Sequence, residues 1–252
     1  CRELFGEIYE QIPELPFCNN WTAMQLSSRL PKGALFHMGV SNTRRCWNMF
    51  QLPESVESAC NVGCCGIDGC VSTLVGASLV NPDRLCYVVV GDLTFFYDLN
   101  SLGNHHIGTN LRVMLVNNGR GTEFRLGIHH CNVFGDDADK YMAAAGHFGN
   151  KSPLLVKHYA EDLGFHYLSA TTKEEFMTAL SNFTNPQLSD HSMILEVFTD
   201  SKDESEALYL MSHIQSDAKG MVRSKLKDAV RNVAGEKGIN AIKKILKKKK
   251  DF

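Results

Sequence analysis

The sequence predicts an α/β fold with a doubly wound, mostly parallel sheet and helices on both of its faces. Short runs of continuous apolar residues, typical of strands buried on both sides, alternate along the chain with amphipathic segments of helical length. The length of 252 residues and the hydrophobic content of 44% suit one sizeable domain with appendages better than two equal domains. Buried strands that alternate with helices are typical of a parallel sheet.

The N-terminal part of the chain is predicted to contain two helical segments and the first strand of the sheet. Residues 1–32 are predicted to be a helical lead-in or linker of two segments, with Asn19 or Asn20 capping the second segment. The run ALFHMGV at 34–40 then has the apolar content of a buried strand, and a polar Ser-Asn pair follows it. We therefore expect the main domain to begin at about residue 33 with a β-to-α step.

The same step repeats toward the C-terminus. The further predicted strands are 58–65, 85–90, 111–116, 165–170 and 192–198, and the predicted helices between them are 66–80, 93–103 and 171–180. An acidic segment after the last strand begins another helix, and we expect the main domain to extend to about residue 215. Residues 216–252 are predicted to form a basic helical tail, either a solvated helical end or a contact to acidic lipid, RNA or a partner.

Composition narrows the class of function. The formal net charge of −2 and the pI near 6.6 provide no global attraction to nucleic acid or anionic lipid, so a small-molecule ligand is favoured. No secretory signal or transmembrane run is visible, and we expect a soluble protein. The odd count of nine cysteines and the adjacent Cys64 and Cys65 favour a reducing, cytoplasmic setting. Zinc binding by Cys60, Cys64, Cys65 and Cys70 is the alternative, but this segment lacks a CxxC pair.

Two polar pairs terminate neighbouring predicted strands. Gly91 and Asp92 follow one buried strand, and Asn117 and Asn118 follow the next. Ligands of open parallel sheets gather at the carboxyl ends of strands, so both pairs are expected on the ligand-binding edge. Carboxylate and amide oxygens are hard ligands suited to Mg²⁺, which often bridges to phosphate. Gly91 would let a phosphate approach the backbone, and the following helix would begin at the same place.

This Gly-Asp pair, followed after about two dozen residues by Asn-Asn, resembles the signature of thiamine diphosphate-dependent enzymes. The resemblance implies the thiamine diphosphate-binding fold, with thiamine diphosphate and Mg²⁺ as cofactors. It implies three metal ligands: Asp92, Asn118 and the main-chain carbonyl of Arg120. The cofactor-binding positions that it implies are Gly66, Ile67, Gly91, Asp92, Leu93 and Asn118. Leu93 stands where the family usually has glycine, and Ile67 matches a side chain that supports the bent cofactor, although core packing explains it equally well.

Three motifs in the same order point to one branch of that family. The segments 66–78, 91–103 and 40–47 together resemble the C-terminal, diphosphate-binding domain of the menaquinone-pathway 2-succinyl-5-enolpyruvyl-6-hydroxy-3-cyclohexene-1-carboxylate synthase family. Two arginines of that synthase are matched here by Val62 and Trp47. Without those partners for substrate carboxylates, we expect a relative that acts on another 2-oxo acid.

Several polar residues follow the Asn-Asn pair and are candidates for the substrate site. Glu123 is a candidate general acid or base if burial raises its pKa, and an exposed surface glutamate is the simpler interpretation. Arg45, Arg125, His129 and His130 are candidates for binding an anionic substrate. The two histidines lack a third metal ligand at a recognised spacing.

The resemblance also predicts what lies outside this chain. In the family, the glutamate that activates the aminopyrimidine belongs to a separate pyrimidine-binding domain, usually of another subunit, so we expect a homo- or hetero-oligomer. The implied function is that of a lyase or transferase domain, which decarboxylates a 2-oxo acid, passes the acyl carbanion to an acceptor and is inactive alone. A non-catalytic diphosphate-binding or assembly module is the alternative, and a flavodoxin-like regulatory domain would leave the motif spacing unexplained.

Overall fold

The domain is built on six parallel strands. The computed structural model of the protein describes residue 6 and the ranges 9–126, 129–142 and 152–214, without the side chains of residues 125, 136 and 139. Its strands are β1 (Leu35–Met38), β2 (Glu57–Cys60), β3 (Cys86–Gly91), β4 (Leu111–Asn117), β5 (His166–Ala170) and β6 (Met193–Phe198). They form one sheet in the order β2-β1-β3-β4-β6-β5, and all neighbours run parallel. The predicted doubly wound α/β fold is confirmed.

The winding reverses direction beside β1. The chain moves from β1 outward to β2 and then returns to place β3 on the other side of β1. Met38 pairs with Val89 across this junction, and Gly91 pairs with Val116 on the next strand. The carboxyl ends of β1, β3 and β4 therefore lie side by side, at the kind of switch point where open α/β sheets bind ligands.

Helices cover both faces of the sheet. They are α1 (Asn19–Leu26), α2 (Asn42–Trp47), α3 (Cys70–Leu79), α4 (Asp92–Tyr97), α5 (Ala138–Tyr141), α6 (Leu155–Asp162), α7 (Lys173–Phe183) and α8 (Ser201–Ser212). Side chains alternate along β3: Tyr87 and Val89 enter one apolar cluster, while Val88 and Val90 enter another. The first cluster includes residues of α1, α2, α7 and α8, and the second includes residues of α3, α4 and α6. This division explains why the strand sequence is apolar throughout.

Local capping explains where two of the helices begin. Thr172 accepts a hydrogen bond from the Glu175 backbone at 3.2 Å, and the Glu175 carboxylate accepts one from the Thr171 backbone at 2.7 Å. This reciprocal arrangement satisfies backbone donors that a helix start leaves unpaired. Asp200 caps α8 in the same sense, since its side chain accepts from the backbone of Lys202 at 2.7 Å.

The expected cap of the second N-terminal segment was wrong. Cys18 occupies the N-cap position of α1, and Asn19 and Asn20 lie in the first turn of the helix. Both asparagines are buried, and Trp21 and Leu26 of the same helix enter the first apolar cluster. The described part of this segment thus shares an apolar cluster with residues of the sheet, and its asparagines make tertiary contacts instead of capping.

No helix among the described residues is long and apolar enough to cross a bilayer. The basic helix expected at 216–252 lies outside the described residues.

Candidate functional site

A cleft of about 510 Å³ lies at the switch point of the sheet. It is lined by the segments that follow β1, β2, β3 and β4, and by single residues of α1 and α8. The lining residues include Asn19, Arg45, Val62, Cys65, Ile67, Gly91, Asp92, Leu93, Asn118, Arg120, Thr122, Glu123 and Glu204. A volume of this size is ordinary for a small-molecule or cofactor site. Most of the residues singled out in the sequence therefore share one cavity.

Asp92 stands at the tip of β3 and begins α4. It is 2% exposed, and its Oδ1 accepts a hydrogen bond from the Leu93 backbone at 2.8 Å. Gly91 precedes it, and a Cβ added at Gly91 would meet nothing within 4 Å. The space beside this glycine is open, so a ligand can approach the backbone there.

The two consecutive asparagines lie in different environments. Asn117 is the last residue of β4, and its Nδ2 donates to Glu196 Oε1 at 2.7 Å within the protein interior. Asn118 lines the cleft, and its Oδ1 accepts from the Arg120 backbone at 3.3 Å. Gly119, which lies between Asn118 and Arg120, has a φ of +81°, which favours glycine and allows a tight turn. Of the pair, only Asn118 lines the cleft.

The segment after β2 forms another wall of the cleft. Ile67 lines the cleft and packs against the second apolar cluster, so it can support a ligand and fill the core at once. Gly66 does not line the cleft, and a Cβ there would lie 2.9 Å from Asp68 Oδ1. Cys65, which also lines the cleft, has a φ of +52° in the left-handed region that non-glycine residues seldom adopt.

Two buried glutamates lie close to Asp92. Glu196 on β6 is 1% exposed, and burial raises its pKa above the ordinary value despite hydrogen bonds from Asn117 and Tyr167. Burial likewise raises the pKa of Glu204 to about 7, and its Oε1 accepts from Asn19 N at 3.0 Å and Thr199 Oγ1 at 2.6 Å. The negative charge of Asp92 contributes to both upward shifts. Both carboxyl groups therefore keep their protons to a higher pH than an exposed glutamate does.

Two lining residues of the cleft form an ion pair. Arg45 Nη2 on α2 lies 2.7 Å from Glu123 Oε1 on the 3₁₀ turn Thr122–Arg125. Arg45 Nη1 also donates to Asn42 Oδ1 at 3.0 Å within its own helix. The general acid or base candidate and one substrate-binding candidate are therefore in direct contact.

The structure does not bring every candidate into the cleft. His129 and His130 are not lining residues, and His129 Nδ1 accepts a hydrogen bond from the Cys131 backbone at 3.1 Å. The side chain of Arg125 lies outside the described residues. Trp47 is buried, and its Nε1 donates to Asn19 Oδ1 at 2.8 Å, whereas Val62 is 45% exposed and lines the cleft.

Sequence reasoning missed three residues of this region. Glu196 had a signal, because it is the one charged side chain inside the apolar run SMILEVF. Glu204 had none, because it lies in an acidic helical segment that is typical of a solvated face. Asn19 was assigned to a cap, and its contacts to Trp47 and Glu204 depend on packing between distant elements.

The cysteines in the described ranges are all free thiols. Within those ranges, no group of three or more histidine, cysteine, aspartate or glutamate side chains is arranged to hold a metal ion. The cysteine-rich run at 60–70 therefore supplies no zinc site of that kind. The candidate Mg²⁺ ligands are of another type, one carboxylate with an amide and a main-chain oxygen.

Comparison with known proteins adds an independent observation. No protein-family model matches the chain. It is 34% identical over 196 residues to a protein of Bacteroides fragilis named 2-succinyl-5-enolpyruvyl-6-hydroxy-3-cyclohexene-1-carboxylate synthase. Synthases of the same name from Phocaeicola vulgatus and Christiangramia forsetii are each 33% identical to it. This chain is homologous to these synthases.

The homology covers most of this chain but only part of the relatives. It includes 78% of the chain and 34% of the Bacteroides fragilis and Phocaeicola vulgatus synthases, and 79% of the chain and 33% of the Christiangramia forsetii synthase. The chain thus spans about one third of the length of these relatives. The resemblance to a thiamine diphosphate enzyme domain, inferred from the three sequence motifs, is confirmed by this homology.

Proposed function

We propose that the cleft binds thiamine diphosphate through Mg²⁺, and that the domain serves a lyase or transferase that decarboxylates a 2-oxo acid. The observation that carries the proposal is the position of Asp92 and Asn118, which line one cavity from adjoining strand ends. Homology to the synthases supports a thiamine diphosphate-dependent enzyme domain.

The donor set fits a hard divalent cation. Asp92 offers a carboxylate oxygen, and Asn118 offers an amide oxygen with a lone pair beyond its bond to the Arg120 backbone. The main-chain carbonyl of Arg120 is the third proposed ligand. Mg²⁺ prefers oxygen ligands of this kind and often shares them with phosphate and water.

The surrounding residues fit a diphosphate and a flat ring system. Gly91 leaves room for phosphate oxygens beside the backbone, and Leu93 continues the same wall. Ile67 presents an apolar side chain to the cleft, suited to supporting a bent cofactor. Gly66 is proposed as part of the same turn, because a larger residue there would crowd Asp68 Oδ1 at 2.9 Å.

Thiamine diphosphate, when bound, would supply a nucleophilic carbon and an electron sink for decarboxylation. The protein's own residues would place the substrate and control protons. Arg45 is suited to bind a substrate carboxylate by charge-assisted hydrogen bonds. Glu123, which lines the cleft beside Arg45, is suited to accept or donate a proton once its carboxylate is released from Arg45. We retain Arg125, His129 and His130 as proposed substrate contacts. The two histidines would first have to move into the cleft, which they do not line.

We infer that a pyrimidine-binding domain, on another chain or elsewhere in a longer protein, completes the site within an oligomer. The coverage of one third of the related synthases supports this inference. Alone, this chain would bind diphosphate and Mg²⁺ weakly and would not turn over a 2-oxo acid. Decarboxylation by the purified chain without a partner would contradict it.

Calorimetric titration with thiamine diphosphate, with and without Mg²⁺, tests the proposal. We expect binding that requires Mg²⁺ and that Asp92→Asn abolishes, because the substitution keeps the shape of the side chain and removes its charge. Asp83→Asn is the matched control, since Asp83 is exposed and lies outside the cleft. Thermal unfolding of both variants separates lost binding from lost folding. Binding that is equally strong in Asp92→Asn and wild type would contradict the metal assignment.

A partner-dependent test distinguishes the enzyme from a non-catalytic assembly module. The chain would be combined with a pyrimidine-binding domain recovered by pull-down, and cofactor binding would be measured again. Mg²⁺-dependent binding by the complex supports the enzyme domain. A stable complex that binds no thiamine diphosphate would favour the assembly module.

A further inference from the structure

The ion pair between Arg45 and Glu123 has properties of an exchangeable contact. The two side chains are 36% and 27% exposed, so water and small anions can reach both. Exposed pairs of this kind contribute little stability, because water and salt screen them. A competing carboxylate therefore needs to overcome only a weak interaction to replace Glu123 on the guanidinium.

The two partners are held with unequal firmness. Arg45 keeps a second hydrogen bond to Asn42 on the same helix, which remains if Glu123 moves away. Glu123 lies on the short 3₁₀ turn Thr122–Arg125, outside the helices and strands that form the core. The guanidinium is thus the fixed member of the pair, and the glutamate is the member expected to move.

The turn that carries Glu123 has an unsatisfied polar group. Thr122 is 5% exposed and lines the cleft, and its Oγ1 has no hydrogen-bond partner among the described residues. Buried hydroxyl groups are normally hydrogen-bonded, because leaving one unpaired is unfavourable. The observed arrangement of the turn leaves this hydroxyl available for a ligand that enters beside it.

We propose that Glu123 is the internal counter-ion of Arg45, and that a substrate carboxylate displaces it, so that Arg45 makes the cleft selective for anionic substrates. This inference deepens the proposed function, on which it rests for the class of substrate. The site takes a small 2-oxo acid through its carboxylate, with Arg45 as the cation and Thr122 as a further donor. Displacement also frees the Glu123 carboxylate at the moment the substrate arrives.

Pyruvate and its neutral analogue methyl pyruvate test the proposal on the full chain without thiamine diphosphate, by nuclear magnetic resonance titration. Arg45→Gln should weaken pyruvate binding by roughly tenfold or more, because charge-assisted hydrogen bonds are lost. Glu123→Gln should strengthen it by about twofold to fivefold, since the competitor loses its charge. Methyl pyruvate should bind wild type and both variants alike.

A second Arg-Glu pair of this protein is the matched control. Arg84 Nη2 lies 2.8 Å from Glu57 Oε1 outside the cleft, and Glu57→Gln should leave pyruvate binding unchanged. If the ion pair between Arg45 and Glu123 serves only to stabilise the fold, Glu123→Gln should bind pyruvate no better than wild type. That result overturns the proposal. Absence of pyruvate binding in every variant overturns it as well. The pyruvate titration contains no thiamine diphosphate. Its result is therefore independent of the Mg²⁺-dependent cofactor binding that tests the proposed function, and the two proposals can fail separately.

Discussion

Asn117, the last residue of β4, donates its side-chain amide to Glu196 within β6 at 2.7 Å. Tyr167 donates to the other oxygen of Glu196, also at 2.7 Å, so the carboxylate satisfies two donors from the strands on either side of its own. The contact also holds the first asparagine of the pair away from the cleft, which Asn118 lines.

This network predicts a stability difference between two substitutions of Glu196. Glu196→Leu removes the acceptor of the buried Asn117 amide and of the half-buried Tyr167 hydroxyl, and an unpaired buried group costs about 1–3 kcal/mol. Glu196→Gln keeps one acceptor oxygen and nearly the same shape, so it should cost less. Urea denaturation measures both free energies of unfolding. Equal unfolding midpoints for Glu196→Leu and wild type would exclude a structural role for the network.

The raised pKa of Glu204 predicts a pH dependence of stability. Its pKa is about 7 in the folded protein against an ordinary value of 4.5, mainly because of burial. The folded state therefore holds this proton more tightly than the unfolded state. Its contribution to stability is full below pH 4.5 and is lost as the pH rises to about 7, a change of roughly 3 kcal/mol.

Glu204→Gln isolates that contribution. The amide oxygen can still accept from Asn19 and Thr199 but does not titrate between pH 4.5 and 7. Denaturation in the presence of a chelator should show the wild type losing stability relative to Glu204→Gln across this range. The difference between the two proteins removes the effects of other titrating groups. A constant difference from pH 4.5 to 8 would show that Glu204 has no raised pKa.

Close contact between β1 and β3 predicts the effect of a methyl group at Gly39. A Cβ there would lie 3.1 Å from Val89 O and 3.3 Å from Val90 Cα, while Gly39 N donates to Val89 O at 2.7 Å. Gly39→Ala must separate the strands beside the cleft, and overpacking of this kind costs about 1–3 kcal/mol. Gly76→Ala in α3 is the control, since its Cβ would meet nothing within 4 Å. Thermal unfolding should show destabilisation of the first and stabilisation by up to about 1 kcal/mol of the second.

The central strands and the position of the cleft were predictable because they depend on local patterns. The apolar runs at 85–90 and 111–116 are buried from both sides, which leaves a periodicity that a sequence displays directly. Asp92 and Asn118 follow those runs, and a parallel sheet places the ends of its strands at one edge. The proximity of Asp92 and Asn118 therefore follows from the strand pattern alone, without knowledge of contacts between distant segments.

Contacts between distant segments were not predictable in the same way. Nothing in the local sequence places β6 between β4 and β5, because that order depends on which strands can cover each other's faces. Arg112 is a charged residue within the run 111–116, yet it is fully buried and donates to the carbonyls of Thr109 and Leu111 and to Ser189 Oγ. The Arg45 pair with Glu123 joins positions 78 residues apart. Such contacts are defined by the fold as a whole.

The twin asparagines allow cofactor binding to be separated from stability. Asn118→Ala removes an amide oxygen from the cleft, and we expect it to abolish Mg²⁺-dependent thiamine diphosphate binding with little change in the free energy of unfolding. Asn117→Ala removes the partner of buried Glu196 and should lower the free energy of unfolding by about 1–3 kcal/mol. Its effect on cofactor binding at a temperature well below unfolding should be smaller, because its side chain does not line the cleft. Calorimetry and urea denaturation on both variants provide the two measurements, and a reversed pattern would mean that Asn117, not Asn118, faces the metal.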